Sequence, residues 1–199
     1  MAVNLQKGQK VDLRKSDGSE LKHVMIGLGW DSAKRSAGLF GNIFGKHQDI
    51  DCDATVFLCK NTKLSDTDDI VYFGNLTHKS GAVRHMGDNL TGEGEGDDEQ
   101  IFIDLTALSS QYDRLIFAVN IYKAKERSQH FGMIQNAFIR ICDEDNRQEL
   151  LRYNLSENYD SMTAMIFGEI YLRNGQWRFS AVGQATKDNS ITELSQQFR

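Results

Sequence analysis

An all-β chain folded as a two-sheet sandwich, with few short helices and acidic loops gathered at one end, is what three observations predict. Short apolar runs recur along the 199 residues at roughly the eight-to-twelve-residue spacing of sandwich strands. Turn chemistry such as Asp17-Gly18 and Asn174-Gly175 separates them. No stretch shows the sustained 3.6-residue apolar period of a long amphipathic helix.

In chain order, Leu5–Leu13 is expected to be a first strand kinked at Gly8, and Val24–Leu28 a second that ends at Gly29-Trp30-Asp31. Residues Ser32–Gln48 mix Gly, Ser and basic residues around Leu39-Phe40 and Ile43-Phe44, the pattern of a surface loop. Asp49–Leu58 leads into a buried strand. Ile70–Asn75 follows as a short strand, Gly81–His85 leads into the acidic loop, Gln100–Leu105 is a strand after it, and Thr106–Gln111 a turn. Arg114–Tyr122 is the strongest strand and is placed at the centre of a sheet. Ala124–Phe131 is expected as a brief helix or charged loop, Ala137–Cys142 and Glu149–Leu155 as paired strands. Met162–Arg173 and Gln176–Val182 flank Asn174-Gly175, the strongest short hairpin signal. Residues 1–185 are assigned to the sandwich and 186–199 to a polar tail, in which Ser190 and Glu193 form a capping-box pattern that predicts a short helix.

Composition narrows the function. With 40% hydrophobic and 26% charged residues, the chain can bury one substantial core. Its net charge of −5 argues against non-specific nucleic-acid binding. No secretory leader or membrane-length apolar run is read, which points to a cytoplasmic protein without a transmembrane segment. Cys52, Cys59 and Cys142 form no CxxC pair and are expected as buried apolar residues in a reducing compartment. Proline is absent, so no Pro-rich linker divides the chain.

The chemistry concentrates in Gly87–Glu99, which holds Asp88, Glu93, Glu95, Asp97, Asp98 and Glu99 and no basic residue. Two unit charges about 5 Å apart repel by roughly 3 kcal/mol at an effective dielectric near 20. Six gathered in one folded loop need a counter-charge. Gly92, Gly94 and Gly96 alternate with acids and free backbone carbonyls for close approach. Carboxylate, amide and backbone oxygens are the donors of Ca²⁺, whereas Mg²⁺ keeps more of its waters. A solvated acidic hairpin tip is the plainer alternative.

Phosphate loops use bare N–H groups and a Lys, not interleaved Glu. An EF-hand is also excluded, since Leu90 and Gly92 stand at its third and fifth ligand positions and Glu93 at its glycine. A second constellation, Asp49, Asp51 and Asp53, alternates along one strand face at about 7 Å intervals, with Ile50 and Cys52 on the other. A shared metal cluster accounts for both constellations better than two separate wet faces.

Several stretches together resemble the TerD domain of the tellurite-resistance and stress-response family. They are Gly27–Asp31, Asp49–Asp53, Gly81–His85, Gly87–Glu99, Asn136–Arg140, Glu149–Tyr153, Ala164–Glu169 and Trp177–Phe179. The resemblance covers about Leu5 to Gly183. It implies a calcium-binding β-sandwich in the bacterial cytoplasm that takes up more than one ion and assembles with partner proteins at the inner face of the membrane. Carried over by position, the implied metal set is Asp31, Asp49, Asp51, Asp53, Asp88, Asn89, Glu93, Asp97, Asp98 and Glu99. The Ser32–Gln48 loop is longer than the family's compact connection, and the segment after Gly183 lies outside the resemblance. Three functions are therefore weighed: a non-catalytic calcium module, a metal-dependent hydrolase of phosphate or sugar bonds with His85 as base, and an interaction protein using Phe40, Phe44 and Trp177. No nucleophile elbow, HExxH or zinc spacing supports an enzyme.

Overall fold

The computed structural model describes residues 2–32, 50–87 and 96–199. Twelve strands among them form two six-stranded sheets. The strands are β1 Val3–Leu5, β2 Lys10–Asp12, β3 His23–Ser32, β4 Cys52–Cys59, β5 Ile70–Val71, β6 Val83–His85, β7 Glu99–Asp104, β8 Arg114–Ile121, β9 Ile134–Asp143, β10 Glu149–Asn154, β11 Ala164–Arg173 and β12 Gln176–Thr186. Helices α1 Ala124–Arg127 and α2 Ile191–Ser195 are short. One sheet runs β1-β10-β9-β3-β7-β6 and the other β2-β12-β11-β8-β4-β5. Only β1 and β10 pair in parallel; the other named pairs are antiparallel.

The two sheets face each other across one apolar cluster. Val24, Ile26, Leu28, Ile101, Ile139 and Ile141 from the first meet Val56, Leu58, Leu115, Phe117, Val119 and Phe167 from the second. β8 lies inside its sheet between β11 and β4 and is buried from Leu115 to Ile121. Its apolar run, interrupted by Asn120, reflects burial on both faces. The Asn174-Gly175 turn closes the β11–β12 hairpin with φ of +53° and +74°, the double positive φ a two-residue hairpin turn needs.

Two elements differ from expectation. The segment Leu5–Leu13 is not one strand: the chain turns at Gln6–Gln9 and crosses from one sheet to the other, β1 pairing with β10 and β2 with β12. Strand pairing in β5 stops after two residues, because Tyr72 and Asn75 close a turn by hydrogen-bonding each other's backbone. β3 continues through Gly29-Trp30-Asp31, as expected, and ends at Ser32. The Ser32–Gln48 loop, apart from Ser32 at the end of β3, lies outside the described residues.

The C-terminal residues cover the outer face of the second sheet. Ser190 caps α2 by accepting the N–H of Glu193, while Glu193 Oε2 accepts the Asn189 N–H at 2.7 Å. Leu194 is fully buried among Phe57, Ile116, Ala118 and Ile166. The Phe198 ring packs 5.4 Å from that of Phe57, and the Phe198 carbonyl accepts from Leu64 N at 2.7 Å. Leu194→Ala should therefore cost about 2–5 kcal/mol. Urea unfolding reads this as a lower midpoint at unchanged slope; a change below about 0.5 kcal/mol would mean these residues do not support the sandwich.

Candidate metal centre at the acidic end of the sandwich

The site is built where β3, β4 and β7 end together. Gly27 has Arg140 opposite on β9 and Gln100 opposite on β7. Asp97 lies over Gly27 between these neighbours. Arg140 donates to it through Nε at 2.6 Å and Nη2 at 2.9 Å, and Gln100 Nε2 donates at 3.0 Å. A Cβ at Gly27 would stand 2.2 Å from the Asp97 carboxylate, so only glycine leaves room for this clamp. Gly29 is constrained likewise by the Phe138 ring at 2.4 Å and the Gly96 carbonyl at 2.8 Å. These two glycines let the chain entering β7 lie flat on β3. Asp98 N then donates to the Leu28 carbonyl at 2.8 Å, and Asp98 Oδ2 accepts from Trp30 N at 2.7 Å.

Glu99 joins the two sheets. Because β5 pairs only with Val56 and Phe57, the N–H of Ala54 on that edge of β4 has no strand to meet. Glu99 Oε2 accepts it at 2.7 Å, from the opposite sheet. The same oxygen lies 3.2 Å from His85 Nε2. Since His85 Nδ1 accepts from Gly87 N at 3.1 Å, the proton of the neutral ring belongs on Nε2, which donates to Glu99. His85 and Glu99 are both buried. With both ring nitrogens engaged, His85 orients Glu99 and is not placed as a general base.

Asp51 and Asp53 are buried, not presented to solvent. Asp51 lies 3.6 Å from Arg127 Nη1, and Asp53 faces its cross-strand neighbour Asn120, whose Nδ2 donates at 3.4 Å. Asp31 is exposed and accepts from Asn136 Nδ2 at 2.7 Å. The charges of these groups are felt locally. The Cys52 thiol is pushed up first by burial and then by Glu99, Asp53, Asp51 and Asp98. Burial raises the Asp98 carboxyl, the Trp30 N–H opposes this, and the charges of Asp31 and Asp97 add to the rise. Among the described residues, Asp98 and Glu99 therefore lie at the same end of the sandwich as Asp51 and Asp53.

Asp49, Asp88, Asn89 and Glu93 lie outside the described residues. Among the described residues, no three His, Cys, Asp or Glu side chains are grouped closely enough to hold a metal ion by themselves. Asp97 is taken up by Arg140 and serves as a strut. Sequence reasoning missed Arg140 and Asn120, although a lone Asn within the apolar run of β8 was a visible signal. The three cysteines are buried and unpaired, as expected.

A second buried polar cluster lies apart from this end. Tyr112 donates to Asp69 Oδ1 at 2.7 Å, and His78 Nε2 stands 3.3 Å from the same oxygen. Lys60 lies 2.9 Å from Asp69 Oδ2 and Lys79 3.1 Å from Oδ1. It ties the Lys60–Leu64 turn and the His78–Gly81 turn to the loop before β8.

A β-rich sandwich with an acidic end is the class of protein these features define. The TerD domain family model matches residues 1–198. The chain is 46% identical over 199 residues, the whole of both chains, to the stress response protein SCP2 of Bacillus subtilis strain 168. It is 46% identical over 185 residues, 92% of this chain and 91% of the other, to the tellurium resistance protein TerD of Serratia marcescens. The crystal structure of a homologue of the telluride resistance protein TerD from Streptomyces coelicolor A3(2) superposes with a TM-score of 0.65 at 18% identity, covering 90% of this chain and 98% of that one. The chain belongs to the TerD domain family of tellurium-resistance and stress-response proteins.

Burial alone would raise the Asp69 carboxyl, but hydrogen bonds from Tyr112, Lys60, His78 and Lys79 outweigh it and hold it at about 2. The unfolded chain, with the ordinary value of 3.8, then binds the proton first as pH falls. The stabilisation should be complete above about pH 4–5 and lost towards pH 2. Asp69→Asn should lower stability at neutral pH and flatten that acid limb in melting curves recorded from pH 2 to 5; an unaltered limb would show that Asp69 does not set it.

Proposed function

We propose that this chain is a calcium-binding module of the tellurium-resistance and stress-response type, non-catalytic, which acts through partner proteins in the cytoplasm, at the inner face of the membrane. The observation that supports it is the meeting of carboxylates from β3, β4 and the start of β7 at one end, several of them buried. Carboxylates placed so are costly unless a cation or donors meet them. The donor set fits a hard ion: Asp31, Asp51, Asp53, Asp98 and Glu99 offer only oxygen, and the buried cysteines are held as thiols. Asp97 is left out because its oxygens serve Arg140. Asp49, Asp88, Asn89 and Glu93 would supply the remaining oxygens. When bound, the ion would neutralise the acidic end and join the two sheets there. The engagement of both His85 nitrogens speaks against the hydrolase alternative. No helix of the described residues is long and apolar enough to cross a membrane.

Only the folded chain gathers these oxygens, so an ion present at a hundred times its Kd adds about 2.7 kcal/mol. For a domain of this size that is a rise in Tm of about 5–10 °C. Adding EDTA should lower Tm by this amount, and CaCl₂ should restore it more than MgCl₂ does. A Tm indifferent to all three would refute the proposal.

A further inference from the structure

A second site opens on the other side of Asp53. Asn120 is 4% exposed, and its Oδ1 is buried with no hydrogen-bond partner among the described residues. Its Nδ2 makes only the long contact of 3.4 Å to Asp53. A buried amide oxygen left in this state costs free energy until a donor reaches it. Asn120 lines a cleft of about 580 Å³ that runs between β5, α1 and α2. That is the size of small-molecule sites, which span roughly 300–1,000 Å³.

The cleft walls are aromatic. Tyr72 and Phe73 stand edge to face with ring centres 5.2 Å apart, and Tyr122 lines the same space. Phe73 is 43% and Tyr122 37% exposed at the mouth of the cleft, with Lys123 Nζ 5.3 Å and the Arg127 guanidinium 5.1 Å from the centre of the Tyr122 ring. Flat ligands gain most from such walls. On one side Lys123 and Lys125 line the opening together with Glu126. On the other side, Glu193 Oε2 is already taken by the backbone and side-chain N–H groups of Asn189.

We propose that this cleft binds a purine nucleoside monophosphate. The base lies against Tyr72, Phe73 and Tyr122, an N–H of its edge donates to Asn120 Oδ1, and the phosphate meets Lys123 and Lys125. An aliphatic ligand would leave the ring faces unused, and a phosphate without a base would leave Asn120 Oδ1 without its donor. The site shares only Asp53 with the acidic end and does not rest on calcium being bound there.

The test is a titration of the ¹⁵N-labelled full chain with AMP and with GMP, followed by amide chemical shifts, once in EDTA and once in CaCl₂. Ribose 5-phosphate and inorganic phosphate are the controls. Saturable shifts at residues 72–73 and 120–125 are expected with at least one purine nucleotide. Affinity should fall tenfold or more in Tyr122→Ala and in Phe73→Ala, both chosen because their partly exposed rings can be removed with the parent Tm kept. Three results would overturn the proposal: no saturable shift with either nucleotide, equally tight binding of ribose 5-phosphate, or unchanged affinity in both variants. The calcium response of Tm is read separately, so either proposal can fail while the other stands.

Discussion

One buried carboxylate holds the acidic end together. Glu99 leaves the first sheet, accepts the N–H of Ala54 on the second, and is held there by His85. Its burial is tolerable because the same oxygen receives two donors. Without this side chain the upper edge of β4 would carry an unmet backbone donor, since β5 is too short to cover it. The charges of Asp51, Asp53 and Asp98 reach the same Cys52 thiol that Glu99 acts on. Glu99 is thus a sheet-to-sheet tie as well as a member of the acidic set.

The glycines of β3 make the junction possible. Asp97 needs the bare backbone of Gly27 to reach the Arg140 guanidinium, and its neighbour Asp98 then continues the ladder onto Leu28. Paired in this way, Asp97 has its charge balanced, whereas Asp98 is desolvated beside Asp31 and Asp97. The two adjacent acids differ in their partners: Asp97 meets Arg140, and Asp98 accepts from Trp30 N. Asp97 thereby ties the chain entering β7 to β9 across Gly27, and Asp98 stands outside that ion pair.

Local signals were legible in the sequence. β8 announced itself by an apolar run buried on both faces, and Asn174-Gly175 by a dipeptide that readily takes positive φ at both positions. The alternation of Asp51 and Asp53 against Cys52 was also legible, because strand side chains alternate. What could not be read depends on partners distant in sequence. Leu5–Leu13 splits because β1 and β2 find different sheets, a choice made by β10 and β12. The polar-looking end of the chain hides Leu194 and Phe198, whose partners Phe57 and Ile166 lie far upstream. At the site, Asp97 reads like its neighbours until Arg140 is brought across Gly27.

The central claim is that the carboxylates at this end share a divalent cation. Diffraction from crystals grown in CaCl₂ tests it most directly. The account predicts an ion at the acidic end with protein oxygens at about 2.3–2.6 Å, carboxylates of Asp31, Asp51, Asp53, Asp98 or Glu99 among them and Asp97 still on Arg140. Clear density for all these side chains, with no ion and only protein or water around them, would contradict it.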